Sequence, residues 1–289
     1  LLASLLDGLS TDLLEIDMID FQGAAFKAVD NRLMALRLVQ HGLSSAAMFR
    51  ADGMVVQPAD ALYRKAVLVE RSRFRPPTHL TMELLDSATR EFSKEPEVSA
   101  ENTLVLSEMT LHNLGEGDEI DAADFLCRVD ILCALGKNVI ITDYGEFYRL
   151  AQYLFSLTHQ PVGVALGVTT LAEIFNEEHY RHLEGGILES FGRMFRQRLH
   201  LYVCPACQGE TDALQTVHNL EIQPHLKHLY THLQENGCIR ELTDIRREHL
   251  LIHSHAVLES IRGGTPGCEA MVPETVARLI REKRLFKCA

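Results

Sequence analysis

The chain has 289 residues, with 40 acidic against 28 basic side chains and a formal charge of −12. That balance argues against general nucleic-acid binding, where basic surface supplies most of the affinity, and against adhesion to anionic membranes. A chain of this length buries roughly 75% of its unfolded surface, enough for a large core in one or two domains without disulfide staples.

No apolar run approaches the ~18 residues of a membrane-spanning helix. The opening Leu1-Leu-Ala-Ser-Leu-Leu6 is short and lacks a basic flank, so it does not read as a signal peptide. The chain begins without Met and reads as a fragment or processed product. Its seven cysteines are scattered through an α/β pattern, which fits reduced thiols in a cytoplasm better than a disulfide framework.

In chain order, residues 1–9 look like the end of a helix, and Leu13–Ile19 is a strand candidate. From Phe26 to Val39, Val29, Leu33, Leu36 and Val39 recur at helical spacing, and His41-Gly42 closes that helix. Ala46–Phe49 and Met54–Gln57 flank Ala51-Asp-Gly53, the signature of a hairpin. Ala66–Glu70 is a further strand, and Pro76-Pro77 after it forces an extended exit. Thr81–Phe92 carries Met82, Leu85, Ala88 and Phe92 on one helical side.

Three apolar runs then alternate with helical patterns: Thr103–Thr110, Asn138–Asp143 and Pro161–Gly167. Each is short and bounded by polar residues or Gly, as in strands buried on both faces of a parallel sheet. The helical stretches between them, from about Asp121 and from about Gly145 to Leu157, supply the crossovers that parallel pairing requires. Short helices at Thr169–Phe175, with a Thr cap, and at Ile187–Gln197 precede a last clear strand, Leu199–Val203. From Pro224 the pattern turns helical: Pro224–Glu235, His255–Ile261 and Pro273–Arg284. The expectation is an α/β fold with a mostly parallel sheet of six to eight strands over residues 1–215, and a helical C-terminal extension over 216–289 packed on it; a β/α barrel is the alternative.

In open parallel sheets and in barrels, ligands bind beyond the C-terminal ends of the strands. The residues there are Asp17, Asp20, Glu70, Glu108, Thr110, Asp143, Glu146 and Gly167. Among them Glu108, Asp143 and Glu146 are the expected catalytic acids, as general acid or base or as contacts for Mg²⁺. Arg71, Arg73 and Arg75 alternate, and an extended chain would put all three on one face to meet a phosphate or carboxylate; a charge-protected strand edge is the plainer account. Cys204-Pro-Ala-Cys207 resembles one knuckle of a zinc ribbon but has no second C-x-x-C, so zinc would need histidines such as His225, His228 and His232. A redox thiol pair is the other special role open to it. There is no G-x-S-x-G, Walker A, dinucleotide G-x-G-x-x-G after a strand, or H-E-x-x-H.

Several segments resemble an uncharacterised bacterial family. They are Val29-Asp-Asn-Arg-Leu-Met34, Val67-Leu-Val-Glu-Arg71, Asp143-Tyr-Gly-Glu-Phe-Tyr-Arg149, Gly185-Gly-Ile-Leu-Glu-Ser-Phe-Gly-Arg193, Pro224-His-Leu-Lys-His-Leu-Tyr230 and Met271-Val-Pro-Glu-Thr-Val276. Members of that family often carry the label nicotinate- or nicotinamide-nucleotide adenylyltransferase. The label implies an α/β nucleotide-binding fold, ATP, Mg²⁺ and a pyridine mononucleotide. The H-x-G-H and late S-[ST]-x-x-R elements of such enzymes do not occur here, so no catalytic residue carries over. The functional expectation is a cytoplasmic enzyme acting on a phosphate-bearing small molecule, a nucleotide first. The alternative is a non-catalytic regulatory or assembly protein, with a homo-oligomer formed through the C-terminal helices.

Overall fold

The computed structural model describes residue 4 and residues 16–115, 120–196, 198–207, 213–265 and 267–287. The helix end expected in residues 1–9 lies outside the described residues apart from Ser4, and so does the first part of the strand expected at Leu13–Ile19; residues 16–19 of that stretch are irregular.

The first regular helix, α1 (Asn31–Gln40), starts where the Asp30 carboxylate accepts the backbone N–H of Arg32. β1 (Ala46–Phe49) and β2 (Val55–Val56) form the expected hairpin, antiparallel with Met48 opposite Val56. Gly53 sits in its turn at φ 81°, a conformation that only Gly adopts freely. A short helix α2 (Pro58–Leu62) leads into β3 (Ala66–Arg71), α3 (His79–Phe92), β4 (Thr103–Thr110), α4 (Leu111–Leu114), α5 (Ala122–Ala134), β5 (Asn138–Thr142), α6 (Phe147–Leu157) and β6 (Val162–Gly167). Next come α7 (Val168–Ile174), α8 (Gly186–Met194), β7 (Leu199–Cys204), a small hairpin of β8 (Ala206–Cys207) with β9 (Leu214–Gln215), α9 (Lys227–Glu235) and β10 (Ile239–Glu241). The chain continues through α10 (Arg247–Leu250), α11 (Ser254–Arg262) and α12 (Glu274–Lys283).

The strands form one eight-stranded sheet in the order β10-β7-β6-β3-β4-β5-β1-β2. From β10 to β5 every neighbouring pair is parallel; β1 joins β5 antiparallel and carries β2 outside it. The three mid-chain apolar runs all lie parallel in this sheet, but only β4 and β5 are neighbours. β6 lies across β3, because the chain reverses its direction of travel after β5. Read from β3, the parallel strands follow the doubly wound order 3-2-1-4-5-6. The sheet is open, not a barrel.

Helices cover both faces, and the alternation along β3 shows how. Val67 and Val69 face α6 and α7 in the larger core, while Ala66 and Leu68 face Leu85, Ala88 and Phe92 of α3. All four strand residues are fully buried, each larger side chain contributing roughly 1.5–3 kcal/mol. α1 and α5 cover the β1–β5 side, where Leu36, Val39, Phe125 and Val129 pack against Phe49 of β1. Gly136 at φ 72° turns the chain from α5 directly into β5.

Past residue 215 the chain contributes more than helices. β10 adds a parallel strand outside β7, with Arg240 level with Tyr202. α11 and α12 bury Val257, Ile261, Val276 and Ile280 in a cluster with Ile131 of α5, so their apolar faces are covered within the chain. No helix among the described residues is long and apolar enough to cross a membrane.

Candidate functional site at the sheet reversal

The reversal falls between β3 and β6, whose chains leave in opposite directions to α3 and α7 and leave a crevice between their C-terminal ends. Two cavities open on this rim. The smaller, about 190 Å³, is lined by Glu70, Ser72, Thr78, Gly167, Thr170 and Ser254, among others. The larger, about 400 Å³, lies between the loops after β4, β5 and β6, with His112, Glu146, Phe147, Glu173, His179 and Tyr180 on its walls.

Arg71, the last residue of β3, stands between them. Its Nε donates to Glu108 Oε2 at 2.6 Å and one Nη to Oε1 at 3.1 Å, a bidentate pair. The same Nη donates to the Tyr144 carbonyl at 2.8 Å and the other Nη to the Gly145 carbonyl at 2.6 Å. The guanidinium also lies 4.6 Å from the centre of the Phe147 ring. Glu108 is level with Arg71 in the parallel register and fully buried, and it takes a third hydrogen bond from the Thr142 hydroxyl at 2.5 Å. Three adjacent strands, β3, β4 and β5, thus meet through one ion pair, which also fixes the loop that forms a wall of the larger cavity.

The three arginines do not share a face. Alternation ends at Phe74, which sits at φ 47° with its ring buried among Met109, Leu114 and Phe125. That turn sends Arg75 to Asp124 of α5 at 2.8 Å. Asp124 also holds Arg128, which is almost fully buried and donates to the carbonyls of Arg73, Asn113 and Leu114. The Arg73 side chain is exposed. Of the expected acids, Glu146 stands at the N-cap position of α6 without a side-chain capping bond and lines the larger cavity, with Arg149 3.7 Å away. Asp143 is exposed, and its backbone N–H donates to Ser45. Asp17 accepts from Gln57 Nε2 at 2.6 Å, just before α2, and Asp20 accepts from Asn31 of α1.

Glu70 differs from the other acids. It is 4% exposed, Oε2 is closed to solvent, and that oxygen has no hydrogen-bond partner. Burial pushes its carboxyl up to about 8. Ser107, its counterpart on β4, is 1% exposed and its hydroxyl is also unpartnered. The sequence marks Glu70 only as one of several polar strand ends; its isolation depends on the neighbours supplied by β4 and β6. His112, in α4, and His179, in a 3-10 turn between α7 and α8, belong to no motif in the sequence, and what brings them to one cavity is the placement of the segments after β4 and β6.

Helix α7 begins at Val168 with the extended Gly167 as its N-cap residue, so the Thr cap expected at its start is not there. Cys204 is buried at the end of β7, its thiol pushed up to about 12 by burial, and Cys207 lies in the β8–β9 hairpin. Among the described residues no group of three or more His, Cys, Asp or Glu is placed to hold a metal ion, so the cysteine pair finds no further ligands there. His225 pairs with Glu177 at 2.6 Å.

These features define an open doubly wound α/β protein with a divided crevice at its strand reversal. No family model matches the sequence, and no curated protein is similar to it. One solved structure with a similar backbone is the Plasmodium falciparum nicotinic acid mononucleotide adenylyltransferase complexed with APC: TM-score 0.48, 11% identity, covering 78% of this chain and 98% of that one. The parallel sheet and its rim cavities stand on this chain's own backbone.

Proposed function

We propose that this protein is an enzyme acting on a phosphate-bearing small molecule, with a nucleotide as the first candidate, bound across the reversal between β3 and β6. The observation that carries the reading is the strand order, which puts two cavities at the place where open α/β sheets receive ligands. The larger cavity offers Glu146, with His112 and His179, as acid–base groups on an apolar floor that includes Phe147 and Ile174. Glu146 would meet a Mg²⁺–phosphate bound in the larger cavity, with Asp143 as a further acid and Arg73 as an anion contact, both exposed and outside the cavity lining. Glu108 and Arg71 serve by position: they neutralise each other and hold the Tyr144–Gly145 wall. The described cysteines are free, which supports a reducing compartment.

A partner surface on the C-terminal helices has less support, because α11 and α12 bury their apolar faces against α5. Isothermal titration with a panel of ribonucleoside mono-, di- and triphosphates, with and without Mg²⁺, tests the proposal. Saturable heat that is lost on blocking the larger cavity with Ile174→Trp supports it; a flat response across the panel overturns it.

A further inference from the structure

We propose that the smaller rim cavity is a socket for a primary ammonium group, with Glu70 as its counter-ion. Glu70 lines this cavity, and its Oε2 is the one buried carboxylate oxygen without a hydrogen-bond partner among the described residues. Arg71, the other charged lining residue, has its charge met by Glu108 and its Nη groups engaged by two carbonyls. The remaining charged groups that bear on Glu70, Lys137 and Asp86, form a pair with each other, and the Cys204 thiol is neutral. The cavity therefore holds one carboxyl and no cation to match it.

The rest of the lining suits an ammonium. Ser72, Thr170 and Ser254 bring hydroxyl oxygens, each able to accept, and an ammonium has three donors to distribute. Pairing supplies the positive charge that a buried carboxylate lacks, and closure of the site strengthens that attraction. A cavity of about 190 Å³ has room for an aminoalkyl end rather than a whole nucleotide. The acidic surface, with its net charge of −12, draws cations toward the rim. The amine would belong to a second substrate, or to a substituent of the first, reaching past Arg71. This goes beyond nucleotide binding, and the two fail separately, because the probes below carry no phosphate.

The experiment is ligand-observed NMR on the whole chain with ethylammonium chloride, and with acetamide as a neutral probe of similar size. Wild type is compared with Glu70→Gln and Thr170→Val, each checked for native circular dichroism. Saturable ethylammonium binding is expected in wild type, weakened about tenfold or more by E70Q and less by T170V, while acetamide shows none. The proposal is overturned if acetamide binds as well as ethylammonium, if E70Q keeps the binding while T170V has no effect, or if ethylammonium never saturates. T170V leaves the carboxyl in place, so the test stands even if E70Q disturbs folding.

Discussion

The ion pair between Arg71 and Glu108 is the sharpest place to test how the rim is built. The two side chains are 7% and 0% exposed, so neither charge is relieved by water. Changing Arg71 to Met leaves a buried carboxylate whose only remaining side-chain partner among the described residues is the Thr142 hydroxyl. Breaking a buried pair from one side costs ~3–5 kcal/mol, because the surviving charge has no match. Glu108→Leu leaves the guanidinium two carbonyls and the Phe147 face, so its loss should sit at the lower end of that range. The double variant removes both charges and should recover much of the loss, giving a coupling of ~2 kcal/mol or more. Urea unfolding followed by far-ultraviolet circular dichroism measures all four proteins. A second probe, tyrosine fluorescence, should give coincident transitions if two-state analysis holds. Single losses below ~1 kcal/mol that add within ~0.5 kcal/mol would refute the reasoning. The pair would then be a bystander, and the two cavities would need another wall.

Other expectations are simpler. Gly163→Ala should destabilise by ~1–3 kcal/mol in thermal melts, because the added Cβ would lie 2.8 Å from Leu68 Cδ1, 3.0 Å from Tyr202 Cε2 and 3.1 Å from Phe92 Cδ2. Asp121→Ala should cost ~1 kcal/mol, since that carboxylate accepts the backbone N–H groups of Ala123 and Asp124 at the start of α5; Asp121→Asn should recover most of it. The Glu70 carboxyl, raised from 4.5 to about 8 by burial, stays protonated in the native state at a pH where the unfolded chain has lost that proton. Its contribution to stability is therefore unimpaired below about pH 4.5 and falls as the pH rises toward 8. Glu70→Gln should remove that slope, leaving urea midpoints alike at pH 4.5 and higher than wild type at pH 8; a wild-type midpoint no lower than the variant's at pH 8 would contradict it.

Local signals carried much of the fold. β4, β5 and β6 read as buried strands because both faces of each are covered, and Asp121 and Gly136 frame α5 through a cap and a left-handed turn that the sequence names directly. The hairpin at Gly53 is equally local. β10 escaped because Ile239–Glu241 is three residues long and its partner, β7, is 35 or more residues earlier. The order of strands escaped for the same reason: nothing near β6 says that it lies beside β3 rather than β5. Glu70, Glu108 and Asp143 stand at or just past the C-terminal ends of β3, β4 and β5, whereas Asp17 and Asp20 do not, and what surrounds each acid depends on register. Glu108 meets Arg71 because β3 and β4 pair in step, whereas Glu70, one residue earlier, points to the opposite face beside Ser107. The arginine trio failed as a face because Phe74 turns to bury its ring, a long-range packing preference that outweighs local extension.

That one-residue alternation explains the division of labour at the rim. On the α6 face, the end of β3 places a cation and β4 an acid, and the two cancel while pulling the β5 loop into place. On the α3 face, the same two strands place a carboxyl and a hydroxyl with no charge to cancel. Asp124 meets Arg75 and Arg128 nearby, so the loops that follow β3 and β4 are tied down without drawing on Glu70. A strand end that is rigidly held, yet leaves one buried carboxyl unmatched, costs stability as the pH rises. A cation entering the cavity, as proposed, would supply the missing charge and offset that cost.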